Sequence, residues 1–287
     1  MRQPLVDAQL RLRDRRRLAY CEWGDPAGTP VVLFHGAPGS RRMAPQPNAT
    51  AALGARLITF DRPGYGGSDV HDGRELVDTP ADVIELLAAL DVDDFAVIGV
   101  SAGGAHALAT AVQLRERVRG LALLGAPGPL DAVPGAWDAL PPLYGPTARM
   151  ARQEPARSVR AMVRATERFV AHPASFLGGG TPADRAVAAD PEHGPMLLAD
   201  AVEAFRTSGR GMADDLVALW RPWGFAVADA PTGARLWHGA EDTRAEPDFR
   251  WFAAALPGAR SHVWPDEGHL GIVARWPEVL GRVLPAP

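Results

Sequence analysis

The chain has 287 residues, of which 47% are hydrophobic and 22% are charged, and its formal net charge is -4 at pH 7. This composition is typical of a folded globular protein and excludes an intrinsically disordered chain. The mild acidity argues against nucleic acid as a partner, and no run of about 18 apolar residues is present to span a membrane. We therefore expect neither nucleic acid nor a membrane among its partners.

Cysteine use and the first residues bear on the compartment. Cys21 is the single cysteine, so no intrachain disulfide can form, which fits a reducing compartment. The first residues lack the long apolar run of a secretory signal. We therefore expect a cytoplasmic location. The sequence does not determine the oligomeric state, and a homodimer is compatible with it.

The first half of the chain contains a predicted hairpin, two buried strands and a helix. Alternation over residues 9–13 and 18–23 predicts antiparallel strands. Continuous apolar runs at 30–34 and 57–60 predict strands that are buried on both faces. Apolar residues at helical spacing over 79–90 predict a helix.

The second half continues this alternation of strands and helices. A predicted strand over 94–100 leads into an Ala-rich predicted helix over 102–114, and another strand follows at 121–124. Such alternation implies an α/β fold with a mostly parallel central sheet and right-handed crossovers. The remaining predicted elements are strands at 236–238 and 261–264 and helices at 248–255 and 272–284, the last interrupted by Pro277.

Residues 131–225 break this pattern. The segment is rich in proline, arginine and amphipathic helix, and it contains no predicted buried strand. We expect it to form a helical cap over the carboxyl ends of the strands. The predicted core domain then consists of residues 1–130 and 226–287.

Ser101 occupies the centre of the sequence Gly99-Val100-Ser101-Ala102-Gly103, between a predicted strand and a predicted helix. This arrangement is typical of a nucleophile elbow, a strained turn that exposes the serine hydroxyl. Any side chain at Gly99 or Gly103 would then collide with the neighbouring strand or helix. The alternative interpretation is a Gly-rich turn in which the serine only caps a helix.

Three further segments follow predicted strands, where catalytic side chains are expected in a parallel sheet. His35-Gly36-Ala37-Pro38-Gly39 follows the strand at 30–34, Asp242 follows 236–238, and His269 follows 261–264. A serine hydroxyl becomes a good nucleophile when a neutral imidazole takes its proton. The imidazole in turn needs a carboxylate that fixes its tautomer. The chain order Ser, Asp, His is compatible with such a triad.

The sequence leaves alternatives for two members of this triad. Glu241 and Asp131 compete with Asp242 for the role of the acid, and we favour Asp242. His269 has the alternative interpretation of a surface histidine at a helix start. His35 is expected to hold its loop by hydrogen bonds and not to act as a base.

Five segments together resemble the α/β-hydrolase fold family along nearly the whole chain, and most closely its capped esterases and cofactor-free haloperoxidase-like members. The resemblance implies that Ser101 is the nucleophile, His269 the base and Asp242 the acid. It also implies that the N–H groups of Ala37 and Ala102 form the oxyanion hole. The matching segments are His35-Gly36-Ala37-Pro38-Gly39-Ser40, Asp61-Arg62-Pro63-Gly64-Tyr65-Gly66-Gly67-Ser68, the elbow at Ser101, His238-Gly239-Ala240-Glu241-Asp242, and Gly268-His269.

Two departures narrow this resemblance. The chain lacks the His-Gly-Gly-Gly loop of the lipases, and its candidate nucleophile is serine, whereas epoxide hydrolases and haloalkane dehalogenases use aspartate.

Among the aromatic residues of the predicted cap we expect Trp137, Tyr144 and Trp223 to line an apolar substrate pocket above the serine.

The sequence therefore predicts a serine hydrolase that cleaves a small-to-medium apolar ester, lactone or thioester. We expect no cofactor, and the histidines at 172, 193 and 262 lack the spacing of metal ligands. The same triad would also serve C–C bond hydrolysis, acyl transfer or cyclisation in a biosynthetic pathway. A third interpretation is a ligand-binding receptor that keeps the triad.

Overall fold

A computed structural model describes residues 3–142 and 144–284. In these residues eight strands form one sheet in the order β1-β2-β4-β3-β5-β6-β7-β8. Strands β1, β2 and β4 pair antiparallel, and all other neighbours pair parallel. The strands are β1 (Val6–Arg11), β2 (Arg17–Gly24), β3 (Thr29–Phe34), β4 (Ala55–Phe60), β5 (Phe95–Val100), β6 (Val118–Leu124), β7 (Arg235–Gly239) and β8 (Arg260–Trp264).

The centre of the sheet is buried on both faces. All six residues of β5 are buried, with Phe95 and Val97 in one apolar layer and Ala96 and Ile98 in the other. This confirms the mostly parallel α/β architecture that the continuous apolar runs predict, because only a strand covered on both sides lacks a polar face.

Helices cover both faces of the sheet. The predicted helix 272–284 is present as two helices that meet at Arg275. Pro277 lies in the first turn of the second helix, where its missing N–H has no partner to lose. The short α1 is absent from the sequence prediction. The flanking helices are α1 (Pro47–Ala52), α2 (Thr79–Ala89), α3 (Gly103–Gln113), α10 (Glu246–Ala255), α11 (Gly271–Ala274) and α12 (Trp276–Val283).

The described part of the chain between β6 and β7 contains only helical elements. We call this segment, residues 125–234, the helical insert. A division of the chain into a core and a separate cap stays a prediction. The α-helices of the insert are α4 (Ala136–Ala139), α5 (Gly145–Ala151), α6 (Pro155–Ala171), α7 (Pro182–Ala189), α8 (Gly194–Ala204) and α9 (Arg210–Trp220).

One buried contact between the insert and the rest of the chain joins Asp200 on α8 to Ser40. The carboxylate oxygen Oδ1 of Asp200 accepts hydrogen bonds from the Ser40 N–H at 2.7 Å and from the Ser40 hydroxyl at 2.8 Å. Burial raises the pKa of Asp200 to about 7, although both hydrogen bonds oppose this shift. Asp200 therefore retains its proton in the folded protein over a pH range in which the unfolded chain loses it.

Asp200→Asn is expected to remove a pH dependence of stability. Between about pH 4 and pH 7 the unfolded chain ionises Asp200 and the folded protein does not, so the wild type loses stability as pH rises through this window. Asparagine does not ionise, and its carbonyl oxygen can accept both Ser40 hydrogen bonds. Urea unfolding measures the free energy of unfolding of both proteins at pH 5 and pH 8. From pH 5 to pH 8, the difference between the two free energies should shift by about 2–3 kcal/mol in favour of the variant. A difference between the two proteins that does not change with pH would contradict the buried, protonated carboxyl.

Candidate active site

Ser101, Asp242 and His269 follow β5, β7 and β8 at the carboxyl edge of the sheet. Ligands bind at this edge in open α/β sheets because the connecting loops converge there. The Ser101 N–H donates to the Leu124 carbonyl at the end of β6 over 2.8 Å. The His269 ring packs on the next residue, Gly125, where an added Cβ would lie 3.0 Å from the ring atom Cε1. Serine and histidine therefore both lie against the end of β6.

The backbone at Ser101 has the strained geometry of a nucleophile elbow. Its φ is 52°, which side chains other than glycine rarely adopt. A Cβ at Gly99 would lie 2.6 Å from the Gly104 Cα atom, and a Cβ at Gly103 would overlap the carbonyl of Phe34. The expected collisions at both glycines are confirmed, since strand, turn and helix approach too closely for a side chain.

Asp242 is buried beside the half-buried His269, with its Oδ2 atom 2.6 Å from Nδ1 of the ring. Burial would raise the pKa of Asp242, but the hydrogen bond and the charge of His269, together with Arg244, hold it below its ordinary value. The aspartate is therefore ionised at neutral pH and favours the proton on Nδ1. This leaves Nε2 of a neutral ring as a proton acceptor.

Neither the Ser101 hydroxyl nor the His269 Nε2 atom has a hydrogen-bond partner among residues 3–142 and 144–284. Hydrogen bonds between a nucleophile and its base are often long before substrate binds and shorten in the complex. Both groups are therefore free to engage a substrate.

The two alternative acids have other contacts. Glu241 is exposed and accepts a hydrogen bond from the Ala183 N–H at 3.2 Å. Asp131 forms an ion pair with Arg152 at 2.7 Å. Of the three acids that the sequence offers, Asp242 is the one in contact with His269.

The loop after β3 lies against the start of α3. A Cβ at Gly36 would lie 3.5 Å from the Cβ of Ser101, and Gly103 touches the Phe34 carbonyl. Within the described residues, the N–H groups of Ala37 and Ala102 donate no hydrogen bond to the protein. Two unused backbone donors on adjoining segments are what an oxyanion hole requires.

Arg62 holds the loop that carries Ala37. Its buried guanidinium donates to the His35 carbonyl at 2.5 Å, to the Gly36 carbonyl at 2.8 Å and to Asp215 at 2.5 Å. His35 is buried, and its Nδ1 lies 2.7 Å from the Gly36 carbonyl. Burial and the charge of Arg62 hold the pKa of His35 well below its usual range, so the ring is neutral. These contacts fit the expected structural role of His35.

Asp215 on α9 of the insert is the centre of this buried network. Besides Arg62, it accepts hydrogen bonds from the Tyr65 hydroxyl at 2.8 Å and from Arg74 at 2.5 Å, and Nε2 of His106 lies 3.1 Å away. Burial would raise its pKa, but the two arginine charges hold the pKa well below the ordinary range. The sequence did not predict this role, and the available signal was the acidic pair Asp214 and Asp215 directly before the apolar run 216–220.

Asp184 on α7 positions the histidine loop from the insert side. Its carboxylate accepts a hydrogen bond from the Leu270 N–H at 2.7 Å, next to His269. The same carboxylate caps α7 by accepting from the Thr181 N–H at 2.9 Å. The sequence did not predict this role of Asp184 either, although Thr181-Pro-Ala-Asp184 has the spacing of a capping box.

A cavity of about 630 Å³ opens beside the histidine. Within the described residues its walls include Asp242 and His269 but not Ser101. This volume suits a small-to-medium organic ligand. The apolar part of the wall is formed by Phe169, Phe176, Leu177 and Leu270, and the basic part by Arg168 and Arg244.

None of the three aromatic residues expected to bind substrate lies in the described lining of the cavity beside His269, and their role in substrate binding stays a prediction. Trp223 is buried in the main core, with its indole N–H donating to the Leu219 carbonyl. Trp137 stacks against the guanidinium of Arg152, 5.1 Å from its ring centre, and Tyr144 packs on a buried tryptophan of α9. Their spacing in the sequence cannot tell a residue that packs the insert from one that lines a cavity.

Neither a metal-binding cluster nor a membrane-spanning helix is found in the described residues. Across residues 3–142 and 144–284, no three His, Cys, Asp or Glu side chains are clustered so that they could hold a metal ion. The expectation of no metal and no cofactor stays a prediction. In the same residues, no helix combines the length and hydropathy needed to cross a membrane.

Known proteins resemble this chain in sequence and in fold. A sequence model of the α/β hydrolase fold family matches residues 29–171. A proline iminopeptidase of Xylella fastidiosa is 34% identical over 125 residues, which are 42% of this chain and 40% of that protein. The chain thus matches about two fifths of the length of this curated relative.

Solved structures resemble the chain over most of its length. A bromoperoxidase from Bacillus anthracis has a TM-score of 0.71 at 21% identity and covers 96% of this chain and 98% of its own. The esterase EaEST from Exiguobacterium antarcticum has a TM-score of 0.69 at 20% identity, with the same coverage of both chains. At these identities the resemblance establishes the fold.

Proposed function

We propose, from the premise that this chain belongs to the α/β-hydrolase superfamily, that it is a serine hydrolase acting on a small-to-medium ester, lactone or thioester. In this proposal Ser101 is the nucleophile, His269 the base and Asp242 the acid. Ala37 and Ala102 supply the oxyanion donors. The helical insert acts as the cap that contributes the substrate cavity.

The reaction begins when His269 Nε2 takes the hydroxyl proton of Ser101 as the oxygen attacks the substrate carbonyl. The negative charge that develops on the carbonyl oxygen is stabilised by the N–H groups of Ala37 and Ala102, each worth roughly 3–4 kcal/mol in a dry site. Ionised Asp242 stabilises the imidazolium. His269 then protonates the leaving group, and water, deprotonated by the same ring, releases the acyl group from Ser101.

The observation that carries the proposal is the conjunction of the strained Ser101 turn with the His269–Asp242 pair at one sheet edge. A turn that only capped a helix would not need a φ of 52°, nor one glycine on each side at a position that excludes side chains. A histidine with a solely structural role would not need an ionised aspartate on Nδ1 and a free Nε2.

Two of the similar proteins differ in the leaving group that they release, because one is named a proline iminopeptidase and the other an esterase. We expect hydrolysis of 4-nitrophenyl acetate and butyrate, of a γ-lactone and of an acyl thioester to exceed hydrolysis of L-proline 4-nitroanilide. A free terminal amine would meet the positive charges of Arg168 and Arg244 in the cavity. Initial rates on this panel test the assignment. Preferred cleavage of the anilide would favour an aminopeptidase, and no turnover of any substrate would contradict a hydrolase.

A further inference from the structure

The cavity beside His269 contains two arginines whose charges are not neutralised by a partner. Among the described residues, neither Arg168 nor Arg244 has a carboxylate within 4.0 Å or a hydrogen bond from its guanidinium. Most arginines of the described residues do form an ion pair, as Arg152 does with Asp131 and Arg221 does with Glu75. Both cavity arginines are exposed, and the guanidinium of Arg168 lies over the face of Phe169, 4.5 Å from the ring centre.

The acidic residues in the same wall each contact another group of the protein through a hydrogen bond. Asp242 binds the His269 ring, and Asp184 accepts hydrogen bonds from two backbone N–H groups and the Thr181 hydroxyl. Glu241 accepts from the N–H of Ala183, at the first turn of α7. The arginines are thus the charged groups of the wall that lack a partner within the described residues.

Both arginines lie close to the same part of the site. Arg168 and Arg244 line one cavity together with Asp242 and His269. Arg244 follows Asp242 by two residues in the loop after β7. Two separate segments, the last turn of α6 and the loop after β7, therefore bring positive charge to the wall of this cavity.

A row of basic side chains leads along α6 to this region. Arg160, Arg164 and Arg168 recur every four residues and lie on one face of the helix. All three arginines are exposed. None of them forms an ion pair with a described residue, and this holds also for Glu167 on the same helix as a possible partner. In a chain of net charge -4, such a row gives a local positive field that would attract an anion towards the cavity.

We propose that the substrate carries a carboxylate, which Arg168 and Arg244 bind while its apolar body packs on Phe169 and Phe176. The proposal rests on the proposed function and narrows its substrate class. Planar guanidinium groups match carboxylates geometrically and are weakly hydrated, so they bind them well at a partly exposed site. The apolar part of the same wall has room for a chain or ring between the anionic end and the ester carbonyl.

The test compares monoethyl adipate with ethyl hexanoate, which differ in a terminal carboxylate or methyl group. For the wild type we expect kcat/KM to be about ten- to hundredfold higher for the anionic ester. This ratio should fall by at least about tenfold in the variant Arg168→Gln/Arg244→Gln, with the neutral ester as reference within each protein. Rising ionic strength should lower kcat/KM for the anionic ester more than for the neutral one.

Arg157→Gln is the matched control, because Arg157 lies on the same helix but pairs with Glu154 at 3.1 Å. Its ratio of kcat/KM for monoethyl adipate to kcat/KM for ethyl hexanoate should equal the wild-type ratio. A wild-type ratio of one or less, or a ratio that the double variant leaves unchanged, would overturn the carboxylate assignment.

Binding separates this inference from the proposed function. Calorimetric titration of the Ser101→Ala protein with the two esters should show tighter binding of monoethyl adipate, lost when both arginines are also replaced. Equal binding of both esters overturns the inference. Preferential binding of the anionic ester to a protein that hydrolyses neither ester would support the inference and contradict only the hydrolase.

Discussion

Replacing Ser101 with alanine is expected to lower kcat for the best ester of the panel by about 10⁴-fold or more. Alanine retains the Cβ atom, so the turn keeps its backbone geometry while the nucleophilic oxygen is lost. The residual rate would come from the oxyanion donors and from substrate binding. Steady-state kinetics on the purified variant measure the effect, and KM should change much less than kcat.

Ser261→Ala is the matched control for this substitution. Ser261 is exposed on β8, away from the carboxyl edge of the sheet, and its removal should leave kcat unchanged. Equal thermal unfolding of both variants and the wild type would exclude misfolding. Retained turnover in folded Ser101→Ala protein would mean that another group attacks the substrate.

Asp215→Asn is expected to destabilise the fold by about 3–5 kcal/mol, because it leaves two buried arginines facing a neutral amide. Arg62 and Arg74 are almost fully buried, and Asp215 is their shared carboxylate. In asparagine an NH2 donor also replaces one acceptor oxygen, and this donor would face the N–H and O–H groups that now donate to Asp215. Urea unfolding at pH 7, with the midpoint and slope both fitted, gives the change in free energy.

Asp69→Asn provides the comparison for this prediction. Asp69 pairs with Arg17 at 2.6 Å, but this pair lies at the surface, where the loss of an ion pair costs far less than in a buried network because water screens the charges. The Asp215 variant should also lose activity at temperatures at which it remains folded, because Arg62 holds the carbonyls of His35 and Gly36. Equal destabilisation by both substitutions would contradict the central position of Asp215.

The features that the sequence predicted well are those with local signals. The continuous apolar runs predicted the buried strands because a strand covered on both faces has no polar side. The elbow was predictable because the two glycines flank a serine at a strand-to-helix turn. Asp242, favoured over Glu241 and Asp131, is the one that contacts His269 in the structure, while its catalytic role stays a prediction.

The features that the sequence did not predict depend on contacts between distant segments. Asp215 meets Arg62 across 153 positions of the chain, and Asp184 meets Leu270 across 86. No local periodicity records which acid of a helical segment will meet which loop. For the same reason the sequence could not tell that Trp223 packs into the core while Phe169 and Phe176 line the cavity.

Labelling with a fluorophosphonate would show whether Ser101 is an activated nucleophile. Intact mass after incubation should show one label per chain, and peptide mapping should assign it to Ser101. His269→Ala should slow this labelling by at least about a hundredfold, because the hydroxyl then lacks its base. The absence of label on folded protein, label on another residue, or equal labelling of the His269 variant would contradict a Ser101 nucleophile that His269 activates.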